Sequence, residues 1–277
     1  MRIIRIVRIF AELHMPIVRK LRKTVILASY LGRFTYCSLF SQAQLTQYIC
    51  NAEFINYLYP MTWLRSAFQD ELDGVTQTLV DLSTLVSEAI SKATRALLTA
   101  DIKLAEEVIA SDDRVDEIQH ELDARIIDII ARQQPVASDL RALITALRMS
   151  ADLERMGDMA HHVAKITRLR HPSGAVPSEL LLTIEEMGKV AKLIADKAGL
   201  VINSRDVDKA LEVEKDDDEM DRLHRKLFTT LLDSSWSHGT ETAIDITLIG
   251  RYYERFADHA VSVARRVYFL VTGKFSK

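Results

Sequence analysis

The chain has 277 residues, 48% of them apolar, and a formal net charge of −3, which allows a buried core and argues against general disorder. Those totals hide a break near residue 60: residues 1–60 carry eight Lys/Arg against Glu12 and Glu53 alone, leaving 28 basic and 37 acidic residues, a balance of −9, for the rest. The acidic remainder lacks the clustered cations that nucleic-acid binding needs, and with both cysteines (Cys37 and Cys50) in the first segment it has neither disulfides nor thiolate metal sites.

Three readings compete for residues 1–64. The longest apolar run, Thr24 to Phe40, is interrupted by Arg33 and falls short of the roughly 20 apolar residues of a spanning helix. A basic start before an apolar run has the outline of a signal sequence, but no clean small-x-small cleavage site follows. A peripheral membrane anchor is the second reading. The third, and the one the composition favours, is a basic and apolar extension outside the fold, arising from sequence upstream of the true start.

From Leu64 onward the pattern is helical. Leu79, Leu82, Val86, Ile90, Ala93 and Leu97 recur at three- and four-residue spacing and lay one apolar stripe along a helix. Between Pro60 and the end, prolines occur only at 135, 172 and 177, where the periodicity lapses. Asp101 suits an N-cap, with Glu106 and Glu107 near the start of the following helix. The pattern predicts helices over 66–99, 102–133, 138–170, 179–203, 207–234 and 240–272, joined by links short enough for antiparallel neighbours. The expected fold is all-α.

The last three helices repeat the first three. Thr99-Ala-Asp101-Ile resembles Ser204-Arg-Asp206-Val, and Asp112-Asp113-x-Val-Asp116 matches Asp217-Asp218-x-Met-Asp221, both at an offset of 105. After a loop the offset becomes 100, where Glu154-Arg155-x-x-Asp158-x-Ala160 matches Glu254-Arg255-x-x-Asp258-x-Ala260. A constant offset within helices and one change in a loop is the mark of duplication followed by a loop indel. Two copies of one three-helix unit, 65–174 and 175–277, are expected.

Glu154 and Asp158 stand four apart and share a helical face, as do Glu254 and Asp258. Asp112, Asp113 and Asp116, with Asp217, Asp218 and Asp221, add acid from the second helix of each unit. If the helices pack antiparallel, carboxylates from two helices converge, and hard oxygen donors without cysteine favour Mg, Mn, Ca or iron over structural zinc. An interhelical network of Arg155 and Arg255, each about 100° round from the preceding Glu, explains the same residues without a metal. Glu117-x-x-His120 has the spacing of a carboxylate-bridged di-iron bundle, but its repeat equivalents are Arg222 and Arg225. Asp221-x-x-His224 and Asp158-x-x-His161 are looser matches, and His161, His162 and His259 also read as polar surface. No Gly-rich phosphate loop, nucleophile elbow or metalloprotease motif occurs.

At three motifs the sequence resembles the PhoU family, the accessory and regulatory proteins of the phosphate-specific transport system. They are Ala131-Arg-Gln-Gln-Pro135-Val-Ala-x-Asp139-Leu-Arg141, Asp152-Leu-Glu-Arg-Met-Gly-Asp158-Met-Ala160 and Tyr253-Glu-Arg-Phe-Ala-Asp258-His-Ala260. The resemblance covers about residues 65–277. It implies two tandem three-helix bundles related by pseudo-twofold symmetry, and a cytoplasmic, non-enzymatic negative regulator that reaches the membrane through its partners. Those partners would be the ATP-binding subunit of the phosphate transporter, a sensor histidine kinase and a second copy of the chain. It also implies surface iron or another divalent metal at Glu154 and Asp158 and at Glu254 and Asp258, with Asp113, Asp116, Asp218 and Asp221 as weaker carry-overs. The sequence departs from the family in two places. Ser235-Trp-Ser-His-Gly239 stands where the second repeat would carry a Gln-Gln-Pro turn, and the extension places relatives' starts near Met61 or Leu64.

Overall fold

A computed structural model describes residues 52–274, with side chains from residue 67 onward. The expectations for the segment ahead of residue 52 lie outside the described residues. The chain divides into two units, Met1–Ser66 and Ala67–Lys277, and the second holds every side chain described below.

Six long helices and one 3-10 turn at Ser178–Leu180 make up most of the described chain: α1 Ala52–Thr99, α2 Ile102–Gln133, α3 Ser138–Arg170, α4 Leu181–Ser204, α5 Val207–Leu231 and α6 Gly239–Thr272. The predicted limits of α2 and α3 are met to the residue. Helix α1 begins fourteen residues earlier than the periodicity places it. Between Ala52 and Leu64 there is no glycine and only Pro60 opposes helix propagation, so a lapse in apolar spacing did not mean a lapse in helix. Helix α5 stops three residues early, because the Asp233 carboxylate accepts from the Ser235 N–H at 2.8 Å and the Ser235 hydroxyl at 2.6 Å, a local turn that competes with the next helical turn.

The duplication is visible at the joints. Ala100 (φ 51°) and Arg205 (φ 53°) both end a helix in the left-handed region, and each is followed by an aspartate cap. Asp101 accepts from the N–H groups of Lys103 and Leu104, and Asp206 from those of Asp208 and Lys209. Residues 105 apart thus perform the same turn.

Packing repeats it too. Helices α1 and α4 run antiparallel and touch where a side chain on one meets a glycine on the other. A Cβ on Gly188 would lie 2.3 Å from Thr94, and one on Gly199 would lie 2.4 Å from Ser83. Adding 105 to Ser83 and Thr94 gives Gly188 and Gly199, so each contact is the image of the other under an exchange of halves. Helices α3 and α6 are likewise antiparallel, with Arg170 beside Asp245 at one end and Asp152 beside His259 at the other. Helix α2 packs on α3 and α5 on α6, and one hydrophobic core runs through both repeats, with Leu153, Met156, Tyr253 and Phe256 fully buried at its centre.

Two polar features cross that core. The Tyr253 hydroxyl donates to Thr94 Oγ1 at 2.7 Å, while Thr94 donates to the Ile90 carbonyl, so the buried pair is satisfied and burial holds the Tyr253 phenol neutral by pushing its pKa up. Along the α3/α6 seam Arg170 is paired with Asp245 and Glu241, and Arg266 donates to Asp152 at 2.6 Å. Burial alone would raise the Asp152 carboxyl; hydrogen bonds from His259 and Arg266 more than offset it, and the net shift is downward.

Candidate functional site

Helices α2 and α3 meet closely because residue 157 is glycine: a Cβ there would sit 3.2 Å from Val115 and 3.6 Å from an Asp112 oxygen. That closeness brings the acids of two helices into one field. Asp112 and Asp116 lie four apart on the α2 face turned to α3, opposite Glu154 and Asp158. Glu154 is pushed above the ordinary carboxylate range by burial first and then by Asp158, with Asp116 and Asp112 adding to it. Asp116 is raised by burial, then by Asp112 and Asp158. Mutual repulsion of this kind requires that the four groups share one corner.

The second corner is built alike. Asp217 on α5 is pushed up to about 6, by burial first and then by Asp258, Asp221, Glu254 and Asp218. Glu254 is raised by burial and by Asp258. The repeated acidic motifs of the sequence therefore become two repeated clusters in space.

Within each cluster the depth differs from the expected order. Asp113 and Asp218 are exposed, whereas Asp112 and Asp217 are half-buried against α3 and α6. The signal was available: Val108, Val115 and Leu122 mark the buried line of α2, and Asp112 falls between the first two while Asp113 is one residue round toward solvent. Asp116, Glu154, Asp158 and Glu254 are half-buried, and Asp221 and Asp258 are exposed.

Two expectations about neighbours are corrected. Arg155 does not reach another helix: it donates to Asp158 at 2.8 Å and lies 3.4 Å from Glu154, both on α3, because a guanidinium folded along its own helix finds one carboxylate a turn ahead and another on the residue before it. Arg255 is exposed and makes no ion pair among the described residues; the neutralising arginine of the second corner is Arg251, bonded to Glu254. The histidines are more than polar surface. His161 Nδ1 bonds to Asp112, His259 Nδ1 lies 3.2 Å from Asp152, and His162 stacks on Tyr252 at 5.0 Å between ring centroids. The His161 Nε2 atom is buried without a partner, so the tautomer that suits the site carries its hydrogen on Nδ1 and donates to Asp112.

The described residues hold no group of three or more His, Cys, Asp or Glu placed to grip a metal ion. Each cluster concentrates charge without gathering its oxygens at one point, since Arg155, Arg251 and His161 already draw one or more of them aside. Glu117 and His120 do not form the inward-facing pair of a di-iron bundle either: both are exposed, Glu117 is paired with Arg114, and His120 bonds to the Asp116 carbonyl.

A family model described as the PhoU domain matches residues 79–167 and again 184–267, one match for each half of the duplication. The chain belongs to the PhoU family. The phosphate-specific transport system accessory protein PhoU homolog 2 of Mycobacterium tuberculosis is 45% identical over 212 residues, covering 76% of this chain and 100% of the relative. PhoU homolog 1 of Mycobacterium leprae is 44% identical, covering 76% of this chain and 96% of that one. Among solved structures, PhoU from Pseudomonas aeruginosa is 30% identical with a TM-score of 0.66, covering 75% and 100% of the two chains. The phosphate transport system regulatory protein PhoU from Streptococcus pneumoniae is 26% identical with a TM-score of 0.69, covering 76% and 99%. The all-helical, twice-repeated PhoU fold is thus shown for this chain. No helix among the described residues is long and apolar enough to cross a membrane.

Proposed function

We propose that this PhoU protein is a negative regulator of phosphate uptake and of phosphate-starvation signalling, working by contact and not by catalysis. In this reading it links the ATP-binding subunit of the phosphate transporter to a sensor histidine kinase in the cytoplasm, as a homodimer. The supporting observation is that both PhoU-domain matches carry an acidic corner whose carboxylates are left under-neutralised, a charge pattern that suits basic partner surfaces and repels nucleic acid. Deleting the gene is expected to switch on phosphate-starvation genes at high phosphate. Unchanged regulation, in a strain with no second copy to compensate, removes the reading.

A divalent cation at each corner, iron or one of Mg, Mn and Ca, is a second reading, favoured by the raised proton affinities of Glu154 and Glu254, which mark negative charge in want of a counter-charge. Glu154 with Asp158 and Asp116, and Glu254 with Asp258 and Asp221, would be its ligands once Arg155 and Arg251 swing away, with Asp113 and Asp218 at the rim. Elemental analysis of protein purified without chelators is expected to find metal that is lost when Glu154→Gln and Glu254→Gln are combined; metal-free protein rejects it. A ferritin-like oxidase would instead consume oxygen on adding ferrous iron and lose that activity in the variant Glu117→Ala/His120→Ala.

A further inference from the structure

The acidic corners are one end of a longer pattern. Starting at Glu154 of the first corner, a hollow of about 470 Å³ runs along α3 and is lined by His120 of α2, by Leu147, Arg148, Glu154 and Arg155 of α3, and by Arg266 of α6. Arg148 is exposed and has no ion-pair partner among the described residues. One to two helical turns beyond, on the same lines of the two helices, stand Ile127, 61% exposed, and Ile144, 39% exposed. The groove therefore reads acidic, then basic, then apolar, over the fourteen residues from Asp158 back to Ile144, or about 21 Å of helix.

The second half repeats the order with different residues. Its acidic end is Asp217, Asp221, Glu254 and Asp258. Arg225 of α5 follows, in the place of His120 under the offset of 105, exposed and without an ion-pair partner among the described residues, while Arg251 of α6, in the place of Ala151, is already bonded to Glu254. The apolar end is Leu232, 84% exposed, and Ile244, 55% exposed, the equivalents of Ile127 and Ile144. Scattered exposed apolar residues are ordinary on a protein surface. An exposed apolar pair at matching positions in both copies, at the same end of the same sequence of charges, is not a scatter.

We infer that each half offers one groove to an amphipathic helix of a protein partner, with apolar side chains at one end of its contact face, an acidic residue in the middle and Lys/Arg at the other end. Charge complementarity selects that occupant: basic groups meet the acidic corner, an acidic group meets Arg148 or Arg225, and the apolar turn covers Ile127 and Ile144 or their equivalents. Because the grooves are related by pseudo-twofold symmetry, the partner presents two identical helices, as a symmetric dimer does. The inference rests on the adaptor reading and states the chemistry of the surface it uses.

The test is a titration of the full chain with a labelled synthetic helix of about 18 residues, enough for the 21 Å face, carrying Leu in its first two turns, Glu in the middle and Lys/Arg in its last two. Two peptides are expected to bind per chain. Ile127→Glu with Ile144→Glu is expected to leave one site, as is Leu232→Glu with Ile244→Glu, and the four together none; each lost site weakens by about tenfold or more. Arg148→Glu and Arg225→Glu, which leave the apolar ends intact, should weaken their own grooves. A peptide with Lys/Arg and Glu exchanged should bind neither groove. No binding, one peptide per chain, indifference to these substitutions, or equal binding of an all-Lys peptide each overturns the inference. So does a light-scattering result in which the apolar substitutions turn an oligomer into a monomer, which would give the face to a second copy of this chain. Failure here alongside derepression on deletion would sink the grooves and spare the adaptor; peptide binding without derepression would do the reverse.

Discussion

The two acidic corners share an ancestor but solve their electrostatic problem differently. In the first, the deepest carboxylate, Asp112, receives a hydrogen bond from His161. In the second, the position of His161 is taken by buried Val261, and Asp217, with no imidazole in reach, holds its proton up to about 6. The arginines differ as well. Arg155 follows its glutamate by one residue, whereas Arg251 precedes Glu254 by three, at a site that is Ala151 in the first half. Backbone, caps and helix contacts were kept after duplication while charge compensation was rebuilt in each half. Helix geometry depends on many residues at once, whereas a single substitution can supply or remove a counter-charge.

The largest effect expected from exchanging the halves concerns the glycine contacts. Gly188→Ala drives a Cβ into Thr94, which is β-branched, buried and already bonded to Ile90 and Tyr253. Gly199→Ala meets only the hydroxyl of Ser83, whose Cβ stands off at 3.4 Å. Gly188→Ala should cost about 2–3 kcal/mol in urea unfolding, from overpacking and a lost buried hydrogen bond. Gly199→Ala should cost about 1 kcal/mol or less, since the gain in helix propensity offsets part of a smaller clash. Equal costs would mean that the two contacts are not images with different tolerances.

How much of this was legible in the sequence follows the same division. Whatever repeats at a fixed offset could be read: the six helices, the aspartate caps and the two acidic motifs, because period and position need no partner. What depends on which faces meet could not. Asp152 with Arg266 and Arg170 with Asp245 are 114 and 75 residues apart, and nothing local marks them as partners. The direction taken by Arg155 was misread because a flexible side chain chooses the nearest carboxylate, and the angle of its Cα does not decide that. Asp112 was readable as the deeper acid from the Val108–Val115 line, and the acidic doublet obscured it. The start of α1 was hidden because helix can outlast amphipathic spacing when nothing but one proline breaks it.

Next in size is Asp112→Asn, which keeps the volume but replaces the anionic acceptor of His161. The imidazole, already without a partner at Nε2, is left with a poorer one at Nδ1. A loss of about 1–2 kcal/mol is expected in urea unfolding at pH 7. A neutral or stabilising result would mean that relief of the repulsion Asp112 exerts on Asp116 and Glu154 outweighs the His161 contact.

The equivalent change in the second corner should have the opposite sign. Asp217 is raised from the ordinary value of 3.8 to about 6 because its ionised form is half-buried among Asp258, Asp221, Glu254 and Asp218. A carboxyl that holds its proton more tightly when folded supports the native state fully below its unfolded pKa, and that support is lost as pH rises toward 6. At pH 7 the native protein therefore carries an unfavourable charge that Asp217→Asn removes. The gain should be about 1 kcal/mol, reduced from the full shift because water screens a half-exposed group. Measured with chelator present across pH 4 to 7, the stability difference between Asp217→Asn and the parent should be near zero at the acid end and grow through the interval. A difference independent of pH would show that Asp217 ionises normally, and that a histidine in place of Val261 would have nothing to compensate.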